Sequence, residues 1–184
     1  MPIRPDDKNW TWVLERVCPD CGFDASSVDR SQVAALLRQN IALWPGLLAR
    51  ADVVGLRPTG DQWSALEYGC HVRDVFRIFE RRLDRMLTED GPTFANWDQD
   101  VTAIDDRYDQ QDPTVISRDL VAAGNVLADR LQSVGDDQWS CTGFRSDGAA
   151  FTVESFARYL LHDPIHHVDD VERGYEILTS GAID

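Results

Sequence analysis

The sequence predicts an all-α protein built as a four-helix bundle with a short N-terminal extension. Three observations lead there. Four long segments repeat apolar residues at helical spacing, the stretches between them collect Gly, Pro and Asp, and no strand pattern exceeds a few residues. The first helix is expected from Ser31 to Ala51, with Val33, Leu36, Leu37, Ile41, Leu43, Trp44 and Leu47 giving an apolar face and a kink at Pro45. The second starts near Asp61, a capping residue, or alternatively at the Ser64/Glu67 pair. It continues through Val75, Phe79, Leu83 and Met86 and stops before Gly91-Pro92. Apolar residues surround its middle, so it should be heavily buried. The third follows Asp112-Pro113, an N-cap and first-turn pair, and reaches Val134. Thr152 caps the fourth, with Glu154 in its first turn, and that helix extends to Leu178. The connection from Glu89 to Gln111 is longer than neighbouring antiparallel helices need. Helices two and three can therefore run parallel, giving an up-down-down-up order, and the same loop can serve as a lid. Residues 1–30 form the extension and residues 31–184 the bundle domain.

Composition narrows the function classes. A chain of 184 residues can bury one full core, and 43% hydrophobic residues with six Trp exclude a mainly disordered chain. A net charge of −14 argues against nucleic acid and anionic membrane surfaces as partners. No run approaches the roughly 20 apolar residues of a membrane span, and no basic segment precedes an apolar one at the N-terminus. A cytoplasmic, soluble protein acting on a small molecule is expected, with a homodimer left open. Four cysteines are too few for a disulfide scaffold. Cys18 and Cys21 form a CPDC pair that reads first as a turn. A redox role would need a strand before it and a helix after it, and a structural zinc site would need two further ligands. Cys70 points about 100° away from His71 on a helix and belongs to the core.

The four histidines fall in two stretches, His71 alone and His162, His166 and His167 in HDPIHH. His162/His166 and Asp163/His167 each have the four-residue spacing that places two side chains on one helical face. Adding His71 from another helix gives three ligands with positions left open for water or substrate. On the helical wheel, His167 lines up with Asp163, Leu160, Phe156, Val171 and Tyr175, an apolar line except for the carboxylate. His166 lines up with His162, Tyr159, Ser155 and Asp170, mostly polar. Asp163 and His167 should face inward and His162 and His166 the flank. The kink expected at Pro164 can rotate this turn, so His162/His166 stands as the alternative frame. An inward Asp beside an inward His needs a partner, either a divalent cation shared with His71 or a direct Asp–His hydrogen bond. Glu67 and Asp170, with Asp169 beside it, are placed to orient ligands from outside, although Glu67 reads equally well as a solvated carboxylate. Arg73, Arg77 and Arg158 are candidate cations for the carboxylates of a bound cofactor, although charged helix faces are usually just solvated.

Trp63-Ser64-x-x-Glu67-x-x-x-His71 and LLHDPIHHVDDV (residues 160–171) resemble the second- and fourth-helix motifs of the DinB/YfiT-like superfamily. In that register His167 falls on the second ligand of helix four, Asp163 on the first, and Asp170 on the polar position that follows. The family usually carries histidine where this chain has Asp163. A related branch, the mycothiol-dependent maleylpyruvate isomerases, has an acidic ligand there. The resemblance covers residues 31–178 and leaves CPDCGFD outside. It implies an up-down-down-up bundle holding a divalent ion, zinc or nickel, and a thiol S-transferase or isomerase using mycothiol through a metal-activated thiol or water. Two rival readings keep the same helices: a metal-binding stress or binding protein without turnover, and a metal-free helical interaction domain.

Overall fold

A computed structural model describes Ile3 and residues 9–180. The outer ends of the expected extension and bundle domain (1–2, 4–8 and 181–184) lie outside the described residues. Six α-helices are present among the described residues: α1 (Val33–Ile41), α2 (Trp44–Leu48), α3 (Ala65–Thr88), α4 (Gln99–Asp105), α5 (Pro113–Gln132) and α6 (Val153–Ser180). The expected first helix is split into α1 and α2. Pro45 has no N–H to bond the Ile41 carbonyl, so the helix stops and restarts with proline in its first turn. At the start of α3 the sequence offered two caps, and Ser64 is the one used. Its hydroxyl accepts from Glu67 N–H while the Glu67 carboxylate accepts from Ser64 N–H, a closed capping box. Asp61 instead accepts from the Thr59 hydroxyl. Asp112 caps α5 ahead of Pro113, and Thr152 accepts from Ser155 N–H at the start of α6.

Helix directions follow from the side chains that meet. Along α3 and α5 the paired numbers rise together: Gly69 faces Ile116, Arg77 pairs with Asp119 and Asp84 with Arg130. These two helices are parallel. Between α1 and α5 the order reverses, with Arg38 on Asp129 and Ile41 against Gly124. It also reverses between α3 and α6, where Phe79 stacks on Phe156 and His71 meets His167. Counting α1 and α2 as one, the bundle is up-down-down-up. Gly124 is required where α1, α3 and α5 converge. A Cβ there would lie 2.6 Å from Ile41 Cδ1 and 2.9 Å from Phe76.

The connections hold structure that periodicity could not show. A three-stranded sheet, β1 (Thr93–Phe94), β2 (Thr142–Arg145) and β3 (Ala150–Thr152), closes one end of the bundle. β2 pairs parallel with β1 and antiparallel with β3. Strands of two to four residues lie below the reach of any alternation argument. Within the long connection, Tyr108 is fully buried and its hydroxyl donates to Asp74 Oδ2 at 2.7 Å, which pins the loop to α3. The extension, through short helical turns at Trp10–Leu14 and Ala25–Ser27, packs along α6. No described helix is long and apolar enough to cross a membrane.

Candidate metal centre

The capping box fixes where α3 begins, and therefore which way His71 points two turns later. His71 is fully buried and faces α6. Its Nε2 lies 3.5 Å from Asp163 Oδ1, and His167 Nε2 lies 3.8 Å from the same oxygen. One donor atom from each of His71, Asp163 and His167 falls within 4.8 Å of the other two. Both ring nitrogens of His71 and the Oδ1 of Asp163 are buried without a hydrogen-bond partner. Leaving such groups unmatched costs free energy, and a cation bound between them would remove that cost. Two imidazoles and a carboxylate form a donor set that suits a divalent transition metal. Burial alone would raise the Asp163 pKa, but His71 and His167 beside it hold it at about 2, which keeps the carboxylate ionised. Asp170 Oδ2 lies 3.0 Å from His167 Nδ1, a contact that favours the tautomer with the proton on Nδ1 and turns Nε2 toward Asp163. Asp170 is likewise held at about 2: burial opposes its charge, and hydrogen bonding to His167 outweighs it.

Aromatic rings wall the centre. Trp97 lies flat on His71, with centroids 5.3 Å apart and planes within 5°, and Trp63 approaches at 5.3 Å. Tyr68 packs on His167 at 4.8 Å. Asp163 also belongs to the lining of a cleft of about 440 Å³, whose walls include Phe156, Tyr159 and Trp97 and whose cations are Arg82 and Arg145. That volume falls in the usual range for small-molecule sites. Arg145 is held by Asp147 and donates to the Tyr159 hydroxyl at 3.3 Å. Arg82 donates to the Ala95 carbonyl and has no carboxylate within ion-pair range among the described residues. Burial and the nearby Arg145 charge lower its pKa.

The sequence model of the DinB superfamily matches residues 37–171. The chain belongs to the DinB superfamily. Among solved structures it is similar to YfiT from Bacillus subtilis, described as a probable metal-dependent hydrolase with an unusual four-helix bundle topology. The two share 17% identity and a TM-score of 0.60, over 94% of this chain and 93% of that one. At that identity the likeness speaks for the fold. None of the curated proteins matches significantly.

Several sequence expectations for this DinB chain need correction. His162 and His166 do point to the flank of α6 away from α3, but that flank is buried, with 4% and 9% of their surfaces exposed. The wheel counted only the partners α6 has within the bundle, whereas the N-terminal extension covers its other side with Trp10 and Cys18. Glu67 does not reach His71. Its carboxylate is taken up by Ser64 N–H and the Arg57 guanidinium, which outweigh burial and lower its pKa. Arg73 and Arg77 turn to Asp74, and Arg158 to Glu154 and the Val28 carbonyl, so none of the three lines the cleft. Cys70 is core, as its wheel position implies. Trp97, Arg82 and Arg145 were missed. Trp97 was visible only as an isolated aromatic in a polar loop, and the two arginines carried no local signal, because the sheet is what aims them.

Proposed function

We propose that this DinB-superfamily chain is a metal-dependent enzyme of the thiol S-transferase or isomerase type, with zinc or nickel held by His71, Asp163 and His167. The observation that supports it most is the convergence of His71, Asp163 and His167 donor atoms on one point at the edge of a cleft, where the His71 nitrogens and Asp163 Oδ1 are buried and unmatched. A divalent ion there would lower the pKa of a bound thiol or water and supply a nucleophile at neutral pH. The chain's own residues have separable tasks. Asp170 orients His167; Trp97 and Trp63 exclude water from His71; Arg82 and Arg145 offer cations to a carboxylate on the acceptor. The phenyl groups of Phe79, Phe94 and Phe156 suit an apolar acceptor. Mycothiol, a thiol carried on a polyhydroxylated sugar scaffold, is the co-substrate put forward.

The test combines elemental analysis with turnover. Purified protein is assayed with mycothiol and an electrophile, and separately for hydrolysis of activated esters and amides without thiol. Thiol-dependent turnover that disappears with chelator and returns with zinc or nickel supports the proposal. Metal-dependent hydrolysis without thiol would keep the site and replace the reaction. Bound metal with no turnover would favour a binding protein, and no metal at this triad would leave a helical interaction domain.

A further inference from the structure

The CPDC turn in the extension finds the two further ligands that the sequence could not supply. We infer that Cys18, Cys21, His162 and His166 form a second metal site, a closed structural zinc centre separate from the His71 triad. Four observations meet here. One donor atom from each of the four residues lies within 4.8 Å of the others, and Cys18 Sγ is 3.7 Å from His166 Nδ1. In a tetrahedral site with Zn–S of about 2.3 Å and Zn–N of about 2.0 Å, donors stand roughly 3.3–3.8 Å apart, so a small contraction completes the cage. The spacings C-x-x-C and H-x-x-x-H are those of Cys₂His₂ zinc sites.

The local backbone is shaped to present both sulfurs. Gly22 N–H donates to the Cys18 carbonyl and Cys18 N–H donates to the Phe23 carbonyl, closing a tight turn around the pair. Gly22 sits at φ +73°, a conformation that favours glycine. His162 Nε2 is buried and has no hydrogen-bond partner, an orphan that a ligand would satisfy. Trp10 packs on both histidines at 5.3 Å and Trp12 closes over His162. Four protein ligands and this aromatic cover leave no open position, which is the mark of a structural rather than a catalytic site.

The two sites share one stretch of α6. His162 and His166 face the extension, while Asp163 and His167, one residue further on, face α3. Asp170 Oδ2 bridges them, 3.0 Å from His167 Nδ1 and 3.6 Å from His166 Nε2. Zinc at the Cys₂His₂ site would fasten the extension to the back of the catalytic turn and seat Asn9 and Trp10 in the wall of the cleft.

The test uses cobalt in the full chain, because thiolate coordination gives a near-ultraviolet charge-transfer band that the oxygen and nitrogen triad cannot produce. Reduced, metal-free protein titrated with cobalt should show this band. The band should be lost in Cys18→Ser/Cys21→Ser and kept in His71→Ala. Zinc content should fall from two per chain to one in each variant. Zinc affinity at this site in Cys21→Ser should drop by more than the 10–100-fold that an outer-sphere loss typically costs. Zinc-edge X-ray absorption on wild-type protein, which needs no variant to fold, should report sulfur among the ligands. Absence of sulfur, a band that survives both cysteine changes, or a Cys18–Cys21 disulfide in protein purified without oxidant would overturn the inference.

Discussion

Replacing His71 with leucine should make the metal-free protein more stable and the metal-loaded protein less stable. His71 is fully buried on α3, and neither ring nitrogen has a hydrogen-bond partner. An unsatisfied buried polar group costs about 1–3 kcal/mol. Leucine removes that cost and still fills the space between Trp63 and Trp97, but forfeits the stack on Trp97, worth about 0.5–1.5 kcal/mol. The net expectation in chelator is a gain of about 1 kcal/mol, which for a chain of this size raises Tm by about 2–4 °C. Asp163 loses one of the two imidazoles that favour its charge, but keeps His167 Nε2 at 3.8 Å and lines the cleft, where water can solvate it. With free zinc at about 1,000 times Kd, occupancy of the triad stabilises wild type by about 4 kcal/mol and leaves His71→Leu without that increment. Any stabilisation from the Cys₂His₂ site is common to both and cancels. The measurement is differential scanning calorimetry of both proteins with chelator and with zinc, and the order of Tm should invert between the two. A variant that is already less stable in chelator would mean His71 is a satisfied core histidine. An equal zinc increment in both would remove His71 from any metal site.

Tyr108→Phe deletes a 2.7 Å charge-assisted bond to the buried Asp74 carboxylate, and should cost about 1.5–3 kcal/mol in urea unfolding; an unchanged midpoint would show the loop is not pinned there. Glu67 has a folded pKa below its ordinary 4.5, so its contribution is complete above about pH 4.5 and is lost as pH falls through the folded value. Glu67→Gln should therefore lower stability at pH 7 and flatten the acid limb below pH 4.5, and acid-unfolding curves that superimpose would contradict this. Arg82→Met keeps the packing on Phe94 but removes a cleft cation that lacks a carboxylate partner among the described residues, and should raise KM for a carboxylate-bearing acceptor by about 10-fold or more while changing kcat little. Equal losses in kcat would place Arg82 at the reacting atoms instead.

The bundle was legible because its signals are local. Apolar spacing marked α3, α5 and α6, Asp112-Pro113 marked a start, and the length of the 89–111 connection implied the parallel pair that Arg77–Asp119 and Asp84–Arg130 display. The triad was legible for a related reason: the line through His167, Asp163 and Leu160 is a property of one helix. What stayed hidden depends on distant segments meeting. Nothing near Cys18 announces His166, 148 positions away, and nothing near Arg82 announces that β1 and β2 will enclose it in a cleft. The wheel failed for His162 and His166 because it treats polarity along α6 as a map of solvent, whereas buried histidine facing cysteine and tryptophan is also polar in sequence.

That failure also explains how α6 can serve two sites. Consecutive residues on a helix are about 100° apart, so Asp163/His167 and His162/His166 are two candidate ligand pairs offset by one position and aimed at different neighbours. Such a stretch works only if its rotation is fixed to within a fraction of that angle, and Pro164 within it removes one backbone hydrogen bond that would otherwise help to fix it. The neighbouring helix supplies the constraint. Asn40 of α1 donates to the Pro164 carbonyl at 2.9 Å, and its own side-chain oxygen accepts from the Trp44 indole at 3.1 Å, all of it buried. Asp170 ties the two pairs together one turn on. The polar chain from Trp44 through Asn40 to Pro164 therefore sets the register of α6, and register decides which histidine meets α3 and which meets the extension. In this light the break between α1 and α2 has a use: restarting the helix at Trp44 places that indole where Asn40 needs a donor.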